Sequence, residues 1–221
     1  MELKKFRNKY DLELIPASHE NIILGTLVWD PLIGKPKFNH PGMPNNIFSS
    51  FLDADLLTES DWSQFLKDSK ENEMVEAHLA ESTINIDTSI ASSLQYPSIG
   101  KIENNFELEK ISKFTFGDLK VRTMSDLTRI RIDSYLESLK KKNWAEYDGK
   151  IRRVFMITEL YYGNVKLITK TDWKNELDSK IPELELELSN TIEFGKSVEY
   201  TFDHQNVPFA MKIEKVREFN G

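Results

Sequence analysis

The sequence predicts an α+β fold, and three observations favour it. The stretch from Pro182 to Phe202 has the two-residue period of a β-strand. Alternating segments between Val75 and Val121 indicate two or three further strands. The stretch from Ser125 to Asn143 is typical of a helix, because Ser125 can cap its first turn and three lysines from Lys140 onward lie at its negative end.

The Pro182–Phe202 stretch separates apolar from acidic residues by parity. If it is one strand, its even positions share one face and its odd positions share the other. The apolar face then contains Leu184, Leu186, Leu188, Ile192, Phe194, Val198, Tyr200 and Phe202. The opposite face contains Glu183, Glu185, Glu187 and Glu193.

Two interpretations of this stretch remain open. It is an ordinary half-buried strand, or two strands that break near Gly195, or it is a strand that faces lipid on one side and water on the other. About 20 residues at roughly 3.3 Å each exceed the 9–11 residues that a membrane strand needs. The pattern alone does not choose between these interpretations.

Composition limits the class of protein. A length of 221 residues suits one domain, predicted to span residues 1–221, and a net charge of -7 argues against a nucleic-acid partner. No cysteine is present, which excludes disulfides and thiolate zinc sites and fits a reducing cytoplasm. The N-terminus lacks the apolar core of a signal peptide, and no apolar run approaches 18 residues. Membrane entry would therefore have to use strands.

The first part of the chain predicts a basic helix, two strands and a loop. Residues 3–10 form a basic, mildly amphipathic segment that suits either a docked first helix or contact with anionic lipid. Residues 12–16 and 22–29 are predicted strands. Residues 30–44 are a loop because they contain six prolines and glycines, and the Trp29 end of this loop either packs down or dips into a bilayer.

The remaining elements follow from local signals. Residues 47–57 and 61–66 are predicted as short helices, the second capped by Ser60. Residues 154–162 are apolar on both faces except at Thr158 and Glu159, which predicts a central strand. Gly163-Asn164 then predicts a two-residue hairpin, with residues 165–170 returning beside that strand. Residues 207–216 are predicted to close the sheet.

The sequence contains no recognised catalytic or metal-binding pattern. The four histidines lie far apart, and no HExxH motif, nucleophile elbow, P-loop or dinucleotide fingerprint occurs. Glutamates on one strand face are more typical of a charged surface than of an acid–base pair. We therefore expect no enzyme activity, no catalytic residues, no metal site and no cofactor.

Three segments together resemble gasdermin pore-forming domains. Arg153-Val-Phe-Met-Ile-Thr-Glu-Leu-Tyr-Tyr, followed by Val165-Lys-Leu-Ile-Thr, is similar to the Val-Thr-Glu-Val strand pair of that family. Tyr200-Thr-Phe, followed by Val207-Pro-Phe-Ala-Met-Lys-Ile, resembles its closing strand. Asp11-Leu-Glu-Leu-Ile-Pro, followed by Leu24-Gly-Thr-Leu-Val, resembles its first strand around a Leu-Ile-Pro motif. The order and spacing agree from about residue 8 to residue 216.

The resemblance implies a twisted, mostly antiparallel central sheet with surrounding helices and two segments that refold into long hairpins. These segments would lie within residues 75–121 and 152–202. Many copies would assemble into a large ring on anionic membrane lipids, with the even residues Leu184, Leu186, Leu188, Ile192, Phe194 and Val198 facing lipid. Glu183, Glu185, Glu187 and Glu193 would face the water-filled lumen. Lipid contacts would come from Lys4, Lys5, Phe6, Arg7, Lys9 and Trp29.

Two departures from the family pattern concern control. Gasdermins are held inactive by a C-terminal domain or, in bacteria, a short C-terminal segment, whereas this sequence ends at Gly221 soon after the closing strand. We expect either a cleaved or truncated form, or control by a partner such as a protease or a paired homologue, as in fungal relatives. The acylated N-terminal cysteine of many bacterial members is also missing.

Two functions follow as expectations. The first is a cytoplasmic protein that inserts into a membrane when active and forms pores in cell death or anti-phage and allorecognition defence. The second is a soluble α+β interaction or adaptor module without membrane activity.

Overall fold

A computed structural model shows an α+β fold built on a nine-stranded antiparallel sheet, which confirms the predicted fold class. The structure describes residues 2–15, 22–29, 45–53, 55–71, 73–79, 83–86, 111–151, 153–181, 187–203 and 207–219. The described helices are α1 (Glu2–Tyr10), α2 (Ile47–Asp53), α3 (Glu59–Glu71), α4 (Asp126–Ile151) and α5 (Lys174–Lys180). The strands are β1 (Glu13–Leu14), β2 (Leu27–Trp29), β3 (Val75–Glu76), β4 (Ile84–Ile86), β5 (Ile111–Thr123), β6 (Val154–Lys170), β7 (Glu187–Phe194), β8 (Ser197–Asp203) and β9 (Ala210–Lys215).

Strand β6 is the centre of the sheet. One of its edges pairs with β5 and β2, and the other pairs with β9 along its first half and with β8 along its second half. Strands β3 and β4 pair with the far edge of β5, while β7 pairs with β8 and β1 with β9. The predicted central strand is confirmed, and the predicted closing strand lies between β1 and β6.

The hairpin predicted at Gly163-Asn164 is wrong, because β6 runs straight through it for 17 residues. Gly163 serves close packing instead. A Cβ atom on Gly163 would lie 2.8 Å from the carbonyl oxygen of Gly117 on β5, where the pairing register is irregular. Glycine in a strand often marks such a close approach between backbones.

The buried apolar side chains divide into two clusters. On β6, Tyr161, Val165 and Leu167 belong to the first cluster, while Leu160 and Tyr162 belong to the second. Helices α1 and α5 pack on the first cluster, and α2, α3 and α4 pack on the second. The alternation of β6 therefore supplies both halves of the interior.

The helix caps agree with the sequence in one case and differ in another. The hydroxyl of Ser125 accepts a hydrogen bond from the Thr128 amide at 3.2 Å, which confirms the predicted cap of α4. The cap predicted at Ser60 is wrong, because α3 begins at Glu59. There the Thr58 hydroxyl accepts from the Asp61 amide, and the Asp61 carboxylate accepts from the Thr58 amide, as in a capping box.

Candidate functional site

The second half of β6 and its neighbours form a two-faced part of the sheet, which we call the distal sheet. It consists of β4, residues 113–117 of β5, residues 164–170 of β6, and the β7–β8 hairpin. One of its faces is apolar and buried, with side chains contributed by four adjacent strands: Ile84, Ile86, Phe114, Phe116, Val165, Leu167, Val198, Tyr200 and Phe202. The opposite face is largely polar.

Two short helices cover the apolar face. Phe6 of α1 belongs to the first cluster, as do Leu177 and Ile181 at α5 and its C-terminal end. Leu177 is almost fully buried, although α5 is only seven residues long and otherwise polar. Because such a short helix is unstable alone, its stability depends on this packing.

Polar contacts also attach α5 to the hairpin. The Lys174 ammonium donates to the Glu193 carboxylate on β7, and the Tyr200 hydroxyl on β8 donates to Asp178 at 2.8 Å. Burial raises the pKa of Tyr200, and the hydrogen bond to Asp178 raises this pKa further. Just before α5, the Thr171 amide donates to the Lys196 carbonyl oxygen at 2.9 Å. Helix α5 is therefore attached at the hairpin tip and along β8.

The polar face of the distal sheet follows from the strand register. Opposite residues form three cross-strand rows, since directly paired side chains share a face. The row nearest the turn is Lys170–Ser197–Phe194. The next row is Lys113–Ile168–Glu199–Ile192, and the third is Thr115–Lys166–Thr201–Asn190. This face thus combines lysines with exposed apolar side chains at the β7 edge.

The predicted single strand over Pro182–Phe202 is wrong, because the chain turns at Gly195-Lys196. This outcome is the simpler interpretation, two strands that break near Gly195. Gly195 has φ +60°, which glycine adopts at little cost, and the flanking Phe194 and Ser197 are directly paired. A two-residue turn pairs an even residue with an odd one, so parity cannot assign one face to both strands.

The predicted common face is therefore also wrong for this sheet. Ile192 and Phe194 share the polar face with Glu199 and Ser197. Val198 lies on the buried face and is directly paired with Glu193, so these two residues share a face. Ser189 is the extra residue of a β-bulge. Leu188, which precedes the bulge, pairs with Phe202 and therefore shares a face with that residue.

The remaining members of the predicted faces are less fully described. Leu184, Leu186, Glu183 and Glu185 lie outside the described residues, as does the side chain of Glu187. Contact of any of these residues with lipid or a lumen stays a prediction.

The basic segment forms α1, but its residues differ in accessibility. Lys5 is exposed, whereas Phe6 is only 4% exposed and packs in the first cluster. Phe6 is therefore covered in the folded chain, and its contact with lipid stays a prediction. Lys9 is exposed, and its ammonium donates to the Tyr10 hydroxyl at 2.9 Å. The side chain of Lys4 lies outside the described residues.

Arg7 is held by an ion pair with Glu13 of β1. Its guanidinium donates from both Nε and Nη2 to the two carboxylate oxygens, the second bond measuring 2.8 Å. Burial raises the pKa of Glu13 and outweighs the lowering effect of Arg7. The charge of Arg7 is thus partly satisfied inside the protein, so Lys5 and Lys9 are the more accessible cations among the described side chains of α1.

Trp29 ends β2 and is half-buried against the second cluster. The loop predicted after it, residues 30–44, lies outside the described residues. Lipid contact by Trp29 stays a prediction.

The sequence pattern indicates a break near Gly195 only as one alternative, and it does not predict an exposed apolar tip. Trp173, Ile192 and Phe194 are exposed there, although large apolar side chains are usually at least partly covered. The signal that could have revealed this tip is Gly195-Lys196 between two alternating runs, which is a two-residue hairpin pattern.

Comparisons with known proteins assign no family. No protein-family model matches the chain. No curated protein matches it in sequence. Among the described residues there is no group of three or more potential metal ligands, and no described helix is long and apolar enough to cross a membrane.

Proposed function

We propose that this chain is a membrane pore former of the gasdermin type. It would oligomerise into a large ring on anionic membranes, insert two amphipathic hairpins and cause lytic cell death or anti-phage or allorecognition defence. Before insertion it would be cytoplasmic, and a protease or a paired homologue would activate it.

The observation that carries this proposal is the two-faced distal sheet. A strand that crosses a bilayer needs apolar side chains on one face, since a charge facing the bilayer centre costs up to about 2–4 kcal/mol. In the distal sheet, adjacent strands already share one apolar face, and two of them overlap each segment that the family resemblance assigns to a hairpin: β4 and β5 the first, β6 and β8 the second.

The cover of this face supports a mechanism for release. Helix α5 contributes Leu177 to the apolar face and contacts the hairpin through Lys174 and Asp178. It lies in sequence between β6 and β7, so it would have to leave this position before the two strands could form one long hairpin. Displacement of α5 would expose the apolar side chains of β8 to lipid.

The test compares two truncations of buried leucines. Leu177→Ala loosens α5 on the distal apolar face, whereas Leu136→Ala creates a similar cavity under α4 in the second cluster. Each should cost about 2–5 kcal/mol of stability. We expect Leu177→Ala to increase dye leakage from anionic vesicles several-fold more than Leu136→Ala does. Equal leakage from both variants would remove the argument for α5, and no leakage from any form would contradict pore formation.

A second candidate function rests on the β7 edge. Among the described strands β7 pairs only with β8, and Leu188, Ile192 and Phe194 are exposed along it. An exposed apolar edge strand can accept a strand from a partner protein. This adaptor function predicts a stable complex with a partner and intact vesicles under every condition of the leakage assay.

A further inference from the structure

The exposed residues at the hairpin tip form one mixed basic and apolar surface, which we call the tip surface. Its members are Lys113, Lys170, Trp173, Ile192, Phe194 and Lys196. Lys170 and Phe194 lie in the same cross-strand row, and Lys113 and Ile192 lie at the two ends of the next row. The hydrogen bond from Thr171 to the Lys196 carbonyl brings the segment that contains Trp173 to the same turn.

The tip surface is positively charged within an acidic protein. On the polar face and at its turn, the four lysines Lys113, Lys166, Lys170 and Lys196 outnumber the two acidic residues Asp172 and Glu199, which gives a local net charge of +2. The whole chain carries -7. At the other end of the same strands, Asp118 and Asp203 are exposed and acidic. Positive charge in the distal sheet is thus concentrated at the tip, and negative charge at the other end.

The apolar side chains at the tip are of the kind that anchor proteins at lipid interfaces. Ile192 and Phe194 are each 48% exposed, and Trp173 is 37% exposed. Aromatic rings are favoured at the headgroup level of a bilayer, and lysines next to them are attracted to anionic headgroups. A protein partner that added a strand to β7 would contact the backbone edge of β7, but it would not need the lysines of β5 and β6.

We propose that the tip surface is the site by which the folded chain first docks on an anionic lipid membrane, with the hairpin turn facing the bilayer. Ile192, Phe194 and Trp173 enter the interfacial region, while Lys170 and Lys196 lie among the headgroups. This inference rests on the proposed membrane function and specifies its first step. It places that step at the hairpin tip rather than at α1.

Vesicle binding by the full-length chain tests this proposal. Flotation with vesicles that contain phosphatidylserine measures binding, and dye release from the same vesicles measures leakage. Ile192→Ser/Phe194→Ser should weaken binding at least tenfold. Lys170→Gln/Lys196→Gln should weaken it about 30-fold, because each lysine near a charged leaflet strengthens binding about fivefold. Vesicles of phosphatidylcholine alone should bind the wild type weakly.

Matched controls exclude general effects of surface substitution. Leu127→Ser/Ile130→Ser removes two apolar side chains from α4 that are even more exposed, at 59% and 58%, and should leave binding unchanged. Lys5→Gln removes an exposed cation of α1 and should weaken binding by much less than the roughly fivefold expected of a single docking lysine. All substituted side chains are exposed, so thermal unfolding should stay close to that of the wild type.

The outcomes separate docking from pore formation. If the wild type binds and the tip variants bind equally well, or if only Lys5→Gln weakens binding, the tip surface is not the docking site, whatever the leakage. If tip variants lose binding but the wild type never releases dye, docking is supported and pore formation is contradicted. Absence of wild-type binding to anionic vesicles overturns the docking proposal directly.

Discussion

Gly163 and Gly195 have different structural roles, although each precedes a polar residue that would suit a turn. Gly195 has a positive φ at a real turn, and a Cβ atom placed on it meets nothing within 4 Å. Gly163 lies inside β6, where a Cβ atom would approach the Gly117 carbonyl oxygen and, at 3.0 Å, the Leu119 side chain. Gly195 is favoured because of its backbone conformation, whereas Gly163 is favoured because a larger side chain does not fit there.

Substitution of these glycines should separate the two effects. Gly163→Ala should destabilise the chain by about 1–3 kcal/mol, because the new methyl group overpacks the β5–β6 contact. Gly195→Ala should cost about 1–2 kcal/mol through its left-handed backbone alone. Urea unfolding measures both, and hydrogen exchange of β5 amides should increase only for Gly163→Ala. A neutral Gly163→Ala would contradict the close approach of the two strands.

Arg129 links α4 to the C-terminal part of the chain. It donates two hydrogen bonds to Glu214 of β9, at 3.0 and 2.9 Å, and its guanidinium lies 4.7 Å from the centre of the Phe219 ring. Burial alone would raise the pKa of Glu214, but the hydrogen bonds and positive charge of Arg129 lower it below the usual 4.5.

This lowered pKa predicts a pH dependence. A carboxyl group whose pKa is lower in the folded state contributes stability above its unfolded pKa and loses that contribution as pH falls through its folded pKa. The free energy of unfolding of the wild type should therefore exceed that of Glu214→Gln by a constant amount near neutral pH. The difference should shrink as pH falls below 4.5. A difference that persists unchanged to about pH 2 would contradict the assigned ion pair.

At the scale of elements, periodicity predicted the existence of strands and helices better than their faces. Residues 154–162 are apolar on both faces except at Thr158 and Glu159, and β6 is the central strand as expected. In α4 the spacing predicts an apolar stripe of Leu127, Ile130, Leu136 and Leu139. Leu136 and Leu139 are buried together with Ile132, whereas Leu127 and Ile130 are exposed. The first turn of the helix therefore does not pack on the second cluster as the spacing predicts.

The β7–β8 hairpin shows why faces are harder to predict. The two-residue turn pairs even positions with odd ones, and the bulge at Ser189 shifts the pairing by one residue. Each of these changes moves the side chains beyond it to the face opposite the one that parity predicts. Helix α5 was not predicted because its sequence is polar apart from Leu177 and lacks a helical stripe. Its contacts come from distant parts of the chain, which local sequence does not reveal.

A tether between α5 and β7 should block insertion. The chain has no cysteine, so Lys174→Cys/Glu193→Cys provides a unique pair for a short bis-maleimide linker at the site of the native ion pair. We expect the linked protein to bind anionic vesicles but to release little dye, because α5 cannot leave the hairpin. The unlinked double variant and a form capped with a monofunctional maleimide serve as controls. Full leakage by the linked form would contradict release of α5.

At the scale of the whole molecule, the two clusters share strands: β9 contributes Ala210 to the first and Met211 to the second, and β6 contributes to both. Tyr161, Val165 and Leu167 of β6 support the first cluster, and Leu160 and Tyr162 support the second. Both clusters contain residues from early and late parts of the chain. The sequence also has no internal repeat, so it does not reveal that the core divides into two clusters. The prediction of one domain over residues 1–221 stays a prediction.

Unfolding experiments test that domain prediction. Because β6 contributes to both clusters, we expect one cooperative urea transition with the same midpoint by tryptophan fluorescence and far-UV circular dichroism. Leu136→Ala and Leu177→Ala should each lower that single midpoint. Two separate transitions, each sensitive to only one substitution, would show that the clusters unfold independently.

The apolar face of the distal sheet is shielded in part by the side chains of Phe6, Leu177 and Ile181. These three side chains come from α1 and from α5 with its C-cap residue, two short helices that are far apart in sequence. Transient fraying of either helix, at a fraction of the cost of global unfolding, would therefore wet part of this face, while the backbone ladder of the sheet stays intact.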